Sequence, residues 1–159
     1  MSDTKTLKSL GSGKTVSYNK PSLSILETFK NLHPEANYLV PFVQGRDEFR
    51  SVCPRTKQPD VGKVEIIYVP NKLMVESKSL KLYLNSFANH GEFHEDCTNR
   101  IAKDLICILS PKYIRVFIDF ASRGSLAIKP LVERIMLDIT DKEKEKIFRL
   151  VDTWDIKSK

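Results

Sequence analysis

Hydrophobic positions along this chain change their period twice. Asn37–Val43 and Lys63–Val69 are dense in β-branched and aromatic residues and read as strands. In the second, Val64, Ile66 and Tyr68 alternate with Glu65 and Ile67, so one face is expected to be more buried than the other. Near Ser79 the period shifts. Leu80, Tyr83, Leu84 and Phe87 fall at i, i+3, i+4 and i+7, an apolar helical stripe with Ser77 or Ser79 placed to cap it. Gly91 breaks the chain, and a second helix is expected from Glu95-Asp96, because acidic groups favour a helix N-terminus. Cys97, Ile101, Leu105 and Ile108 continue one face of it. Tyr113–Phe120 alternates again, with Ile114, Val116, Ile118 and Phe120 on one side. A further strand is expected over Ser125–Ile128, after an Arg123-Gly124 turn. Strands, then two helices, then strands predict an α+β fold with the helices on one face of an antiparallel sheet. From Asp138 onward the chain reads as a charged C-terminal helix, exposed on most sides. The expected organisation is a flexible segment at 1–22, a catalytic domain at 23–137 and a charged helix or tail at 138–159.

Composition narrows the class. With 159 residues, 41% hydrophobic and 29% charged, the chain suits one domain or one subunit of an assembly. A net charge of +6 favours anionic partners without separating nucleic acid from a phosphorylated cofactor. The basic residues are scattered and lack aromatic interleaving, so direct nucleic-acid binding is not expected. No run reaches the ~20 apolar residues of a membrane helix. The N-terminus has no apolar centre of the signal-peptide kind, and three cysteines point to the reducing cytoplasm. Gly11-Ser12-Gly13-Lys14-Thr15 resembles a phosphate loop, but Lys8 stands where that motif needs glycine. No Gly-rich dinucleotide fingerprint follows a strand either.

Three clusters carry candidate chemistry. Cys53 precedes Pro54, and Pro59 precedes Asp60, so a stiff non-helical segment holds a nucleophile and an acid near one another. His90 to Cys97 is dense in titratable groups; His90, His94 and Cys97, with Cys53, are accepted zinc ligands, while His94 and Glu95 alternatively open a helix toward a pocket. Cys97 and Cys53, if they border one pocket, are candidates for oxidation to a disulfide. Lys78 and Lys81 are neighbours at the start of a helix, where an anion is favoured, and Arg123 is a candidate third cation. Cys107, amid Leu105, Ile106, Ile108 and Leu109, reads as buried packing.

The run from Glu76 to Tyr83 resembles the signature of the NADPH-dependent 7-cyano-7-deazaguanine reductases, the QueF-type nitrile reductases of queuosine biosynthesis. Phe49 to Pro54, Gln58-Pro59-Asp60, Asn89 to Cys97 and Arg123-Gly124 follow in that family's order and spacing, over roughly Ile25 to Pro130. The short length is similar to the single-module branch. The resemblance implies a tunnelling fold whose subunits join sheet edges into rings, with sites between subunits of a homo-oligomer. It implies Cys53 attacking the nitrile carbon of 7-cyano-7-deazaguanine to form a thioimidate, Asp60 supplying a proton, and His94 assisting. It further implies Val75, Glu76, Ser77, His94 and Glu95 as substrate contacts, Lys78, Lys81 and Arg123 as cations for NADPH, and no metal.

The chain departs from that pattern in several places. Lys57 stands where the family has glycine, Arg50 replaces a small hydroxyl residue, and Ser125 replaces a second glycine. Beyond Pro130 the sequence leaves the expected pattern. Two rival readings are a zinc-dependent pterin-type tunnelling enzyme and a thioimidate-forming amidotransferase that works without NADPH.

Overall fold

A computed structural model describes residues 20–158. A short 3-10 turn at Leu23–Ile25 leads into β1 (Thr28–Lys30), β2 (Val40–Val43), β3 (Phe49–Val52), β4 (Pro59–Val69) and β5 (Leu73–Val75). Helices α1 (Ser77–Asn85) and α2 (His94–Leu109) come next, then β6 (Tyr113–Phe120), β7 (Leu131–Ile135) and α3 (Asp141–Lys157). All pairings between strands are antiparallel. The main sheet runs β2-β4-β6-β7, with β3 also paired to β4, and β1 with β5 makes a separate two-stranded ribbon. The α+β expectation holds.

Strand β4 organises the rest. Val64, Ile66 and Tyr68 point to the side covered by α1 and α2, where they meet Leu80, Tyr83, Leu84, Phe87, Ile101 and Leu105. Each such side chain, fully removed from water, contributes roughly 1.5–3 kcal/mol. At its far end β4 stops alternating, and Ile67, Tyr68 and Val69 are all buried. The cause is α3. Its Ile147 and Val151 pack on Val69 and Tyr113, so the opposite face is covered at that end only. Arg115 on β6 ties α3 down through Asp155 (2.6 Å) and also reaches Glu65 (3.2 Å). The phosphate-loop look-alike at 11–15 lies outside the described residues.

Several boundaries differ from the sequence reading. The first predicted strand shortens to Val40–Val43, and the second starts four residues earlier, at Pro59. Ser125–Ile128 forms no strand; the chain turns there and β7 begins at Leu131. The cap of α1 is Glu76, not a serine: its carboxylate accepts from the Lys78 and Ser79 N–H groups. Cys107 is exposed, contrary to the packing role expected of it. It stands on the far side of α2 from the buried row of Cys97, Ile101 and Leu105.

Candidate active site

Cys53 closes β3 at a tight turn. Its N–H donates to the Gln58 carbonyl (2.9 Å), and its carbonyl accepts from the Lys57 N–H (3.0 Å). Lys57 takes φ 61°, a left-handed conformation that glycine adopts without strain. The departure at Lys57 therefore leaves the turn standing, with a strained residue in it. Around the thiol, the Thr56 hydroxyl and the Thr56 and Arg55 backbone N–H groups stabilise the thiolate, with a smaller contribution from Arg123. Together they pull the Cys53 thiol down to about 7.

Asp60 opens β4 directly across from Ser51 on β3 and is 3% exposed. A carboxylate this dry needs close partners. Arg123 supplies one, donating to Oδ1 at 2.7 Å, and His94 supplies another, with Nε2 3.0 Å from the same oxygen. The histidine approach is close but out of line for a hydrogen bond. The His94 ring lies over Phe120, centroids 4.0 Å apart. What brings His94 here is the preceding loop. His90 and Glu92 bracket Val52 of β3 with two backbone hydrogen bonds of 3.1 Å each. Gly91 eases that approach, since a Cβ there would lie 3.3 Å from Pro54 Cα, a tight contact. Arg100 grips Glu92 at 2.6 Å and holds the loop from α2.

Cys53, Asp60, His94 and Arg123 thus converge from three separated stretches of sequence at one end of the sheet. The other expected residues do not join them through any described contact. Val75 is core, its N–H bonded to the Tyr68 hydroxyl, and Glu76 is the cap of α1. Ser77 and Lys81 line a different cavity of about 510 Å³ between β2, β4 and α1, together with Gln44 and Arg50. Glu95 is exposed on the first turn of α2. Two residues that the sequence reading passed over belong to the centre: Thr56 beside the thiol, and Phe120 under His94. The alternation of β6 placed Phe120 on the buried side; nothing in sequence singled out Thr56.

Zinc ligation finds no support in the geometry. Among the described residues, no three His, Cys, Asp or Glu side chains gather into a metal-holding group. His90 leans on Phe87 and Glu92, His94 on Phe120 and Asp60, and the Cys97 thiol on the Glu92 carbonyl. Burial pushes the Cys97 thiol up to about 12, and Cys53, Cys97 and Cys107 are all free.

A family model described as QueF-like protein matches residues 59–154, so the likeness continues past Pro130, where the sequence reading ended it. An NADPH-dependent 7-cyano-7-deazaguanine reductase of Neisseria meningitidis serogroup B is 54% identical over 121 residues, 76% of each chain. The protein of that name from Helicobacter pylori is 47% identical over 141 residues, 89% of this chain and 93% of its own. Among solved structures, the crystal structure of the archaeosine synthase QueF-Like in the apo form matches with a TM-score of 0.54 at 20% identity. It covers 60% of this chain and 91% of that one, a likeness of fold that agrees with the tunnelling fold expected from the sequence. The chain belongs to the family of QueF-like proteins.

Proposed function

We propose that this chain reduces the nitrile of 7-cyano-7-deazaguanine to the primary amine of 7-aminomethyl-7-deazaguanine, consuming two NADPH. The observation that carries this reading is a thiol held near 7 and a buried, doubly partnered carboxylate, both within reach of Arg123. The relatives named above, at 47–54% identity, support the same reaction. Cys53 adds to the nitrile carbon: an S–C bond forms, and the thiol proton passes to the nitrogen through Asp60. His94, 3.0 Å from Asp60 Oδ1 and fixed over Phe120, relays protons to that carboxylate once its ring turns into line. NADPH, when bound, supplies the hydrides that convert the captured carbon to the amine. Cys53 is released after the first, because its low proton affinity makes the thiolate a good leaving group.

Lys78 and Lys81 suit the phosphates of that cofactor by charge. Their helix N-terminus is less open than its sequence suggested, because the Glu76 carboxylate already accepts the Lys78 and Ser79 N–H groups. The grip therefore falls to the side-chain ammonium groups, of which that of Lys81 belongs to the lining of the 510 Å³ cavity. A second copy of the chain completes each site, bringing its own Val75, Glu76 and Ser77 toward Cys53. Exposed apolar groups at the rim, Phe93 at 51% and Leu126 at 68%, support such a cover. Three free thiols suit the reducing cytoplasm. Among the described residues no helix is long and apolar enough to cross a membrane.

The deciding experiment follows NADPH oxidation with purified protein and 7-cyano-7-deazaguanine, beside Cys53→Ala. Two NADPH oxidised per nitrile, with the rate abolished in the variant, is the expected result. A Cys53 adduct without NADPH oxidation would transfer the function to a non-reducing reaction on the same thioimidate.

A further inference from the structure

The residue whose place differs most from its expected role is Arg123. It sits at the mouth of a two-residue turn after β6, in which Gly124 and Ser125 take φ 56° and 69°. Arg123 and Leu126 exchange backbone hydrogen bonds of 2.9 and 3.1 Å, the arrangement of a tight type I′ hairpin. Just upstream, the Ala121 N–H donates to the Val61 carbonyl at 2.9 Å, so the segment leaving β6 stays zipped to the start of β4. The guanidinium is consequently laid across the Cys53–Asp60 turn. One nitrogen donates to Asp60 Oδ1 at 2.7 Å; the other reaches Gln58 Oε1 and, at 3.4 Å, Thr56 Oγ1. A planar fork of several donors suits this grip, and a lysine ammonium on a flexible stem does not. This guanidinium engages three side chains of a single turn.

We propose that Arg123 is a positioning residue for the addition of Cys53 to the nitrile, bracing the Thr56–Asp60 turn and aiming the Asp60 carboxylate at the forming bond. This role rests on the reductase reading. It concerns a step without net oxidation: the Cys53 S–H adds across the C≡N bond, sulfur to carbon and proton to nitrogen by way of Asp60. Arg123 acts on both partners of that step. It holds Asp60, whose side chain is 2% exposed, and its hydrogen bond is among those that lower the Cys53 thiol to about 7. Thr56, the largest contributor to that lowering, is itself within its reach.

The test compares wild type, Arg123→Gln and Arg123→Lys without NADPH, where a cofactor contact has no effect. Two rates are read: alkylation of Cys53 by iodoacetamide across pH, scored on the Cys53 peptide, and formation of the nitrile adduct by intact mass. With Arg123→Gln we expect the alkylation midpoint to move above 7. The adduct should form on the order of 10- to 100-fold more slowly at neutral pH, the scale of a lost orientation. Arg123→Lys should restore part of the midpoint, through its charge, and less of the adduct rate. A merely structural loss would lower the melting temperature of both variants and leave the alkylation midpoint where it is. Wild-type adduct rate and midpoint in Arg123→Gln, with only KM for NADPH raised, would make Arg123 a cofactor ligand and overturn the proposal. A wild-type chain that alkylates at Cys53 yet forms no adduct removes the reductase reading, and this role with it.

Discussion

Single residues decide how the Cys53 turn is held. Lys57 at φ 61° and Ser125 at φ 69° both occupy left-handed conformations, which glycine adopts without strain. A side chain in that region costs roughly 1–2 kcal/mol, of which glycine's extra unfolded-state freedom returns about 0.5–1. Lys57→Gly should therefore stabilise the chain by about 0.5–1 kcal/mol, a rise of a few degrees in melting temperature. An unchanged or lower melting point would mean that the Lys57 ammonium, which approaches the Gly91 backbone, contributes more than the strain. At this scale Cys53 and Asp60 were legible, because their flanking prolines announce a stiff segment. The apolar neighbours of Cys107 suggest burial, yet it is exposed. At 100° per residue it lies roughly 160° from the centre of the buried face of α2, and periodicity weighed ahead of composition would have placed it outside.

At the scale of elements, the long segments were legible and the short ones were not. Tyr113–Phe120 has the limits predicted from its alternation, and α1 and α2 follow their stripes. Strands β1, β3 and β5, of three or four residues each, are too short to express a period of two; only their partners define them. The C-terminal helix was expected to be exposed on most sides, and most of it is. Its two buried residues nonetheless anchor it, with Ile147 at 0% and Val151 at 5% exposure. Ile147→Ala should cost about 2–4 kcal/mol by the cavity it leaves. Denaturant unfolding measures the loss, and hydrogen exchange should place the faster opening in α3 and at the Val69 end of β4. A cost under about 0.5 kcal/mol would mean that the Arg115–Asp155 ion pair holds α3 without the apolar contact.

For the whole molecule, the question is how a chain of this size builds a site for two substrates. The candidate catalytic cluster lies at one end of the sheet, while Val75, Glu76, Ser77, Lys78 and Lys81, expected to contact the base and the phosphates, surround the start of α1. One copy does not bring these two groups into contact through any described interaction; the second copy proposed above would supply the missing set. Specific activity should accordingly fall on dilution in step with dissociation of the assembly followed by sedimentation. Full specific activity from a monomer would confine the site to one chain.

The sequence by itself determined the α+β order and the core-facing rows of the long strands and helices, and it offered Cys53 as the candidate nucleophile. All of these rest on local covalent chemistry or on periods shorter than ten residues. Only the tertiary structure decided who stands beside whom. Ser79, one of the serines expected to cap α1, instead receives the Glu27 N–H from 52 residues upstream. Arg123 came to rest on Asp60 because β6 pairs with β4 and the turn at Gly124 folds back over that junction. A contact across 63 residues has no local signature. It exists only once the backbone hydrogen bonds of the sheet have set the register.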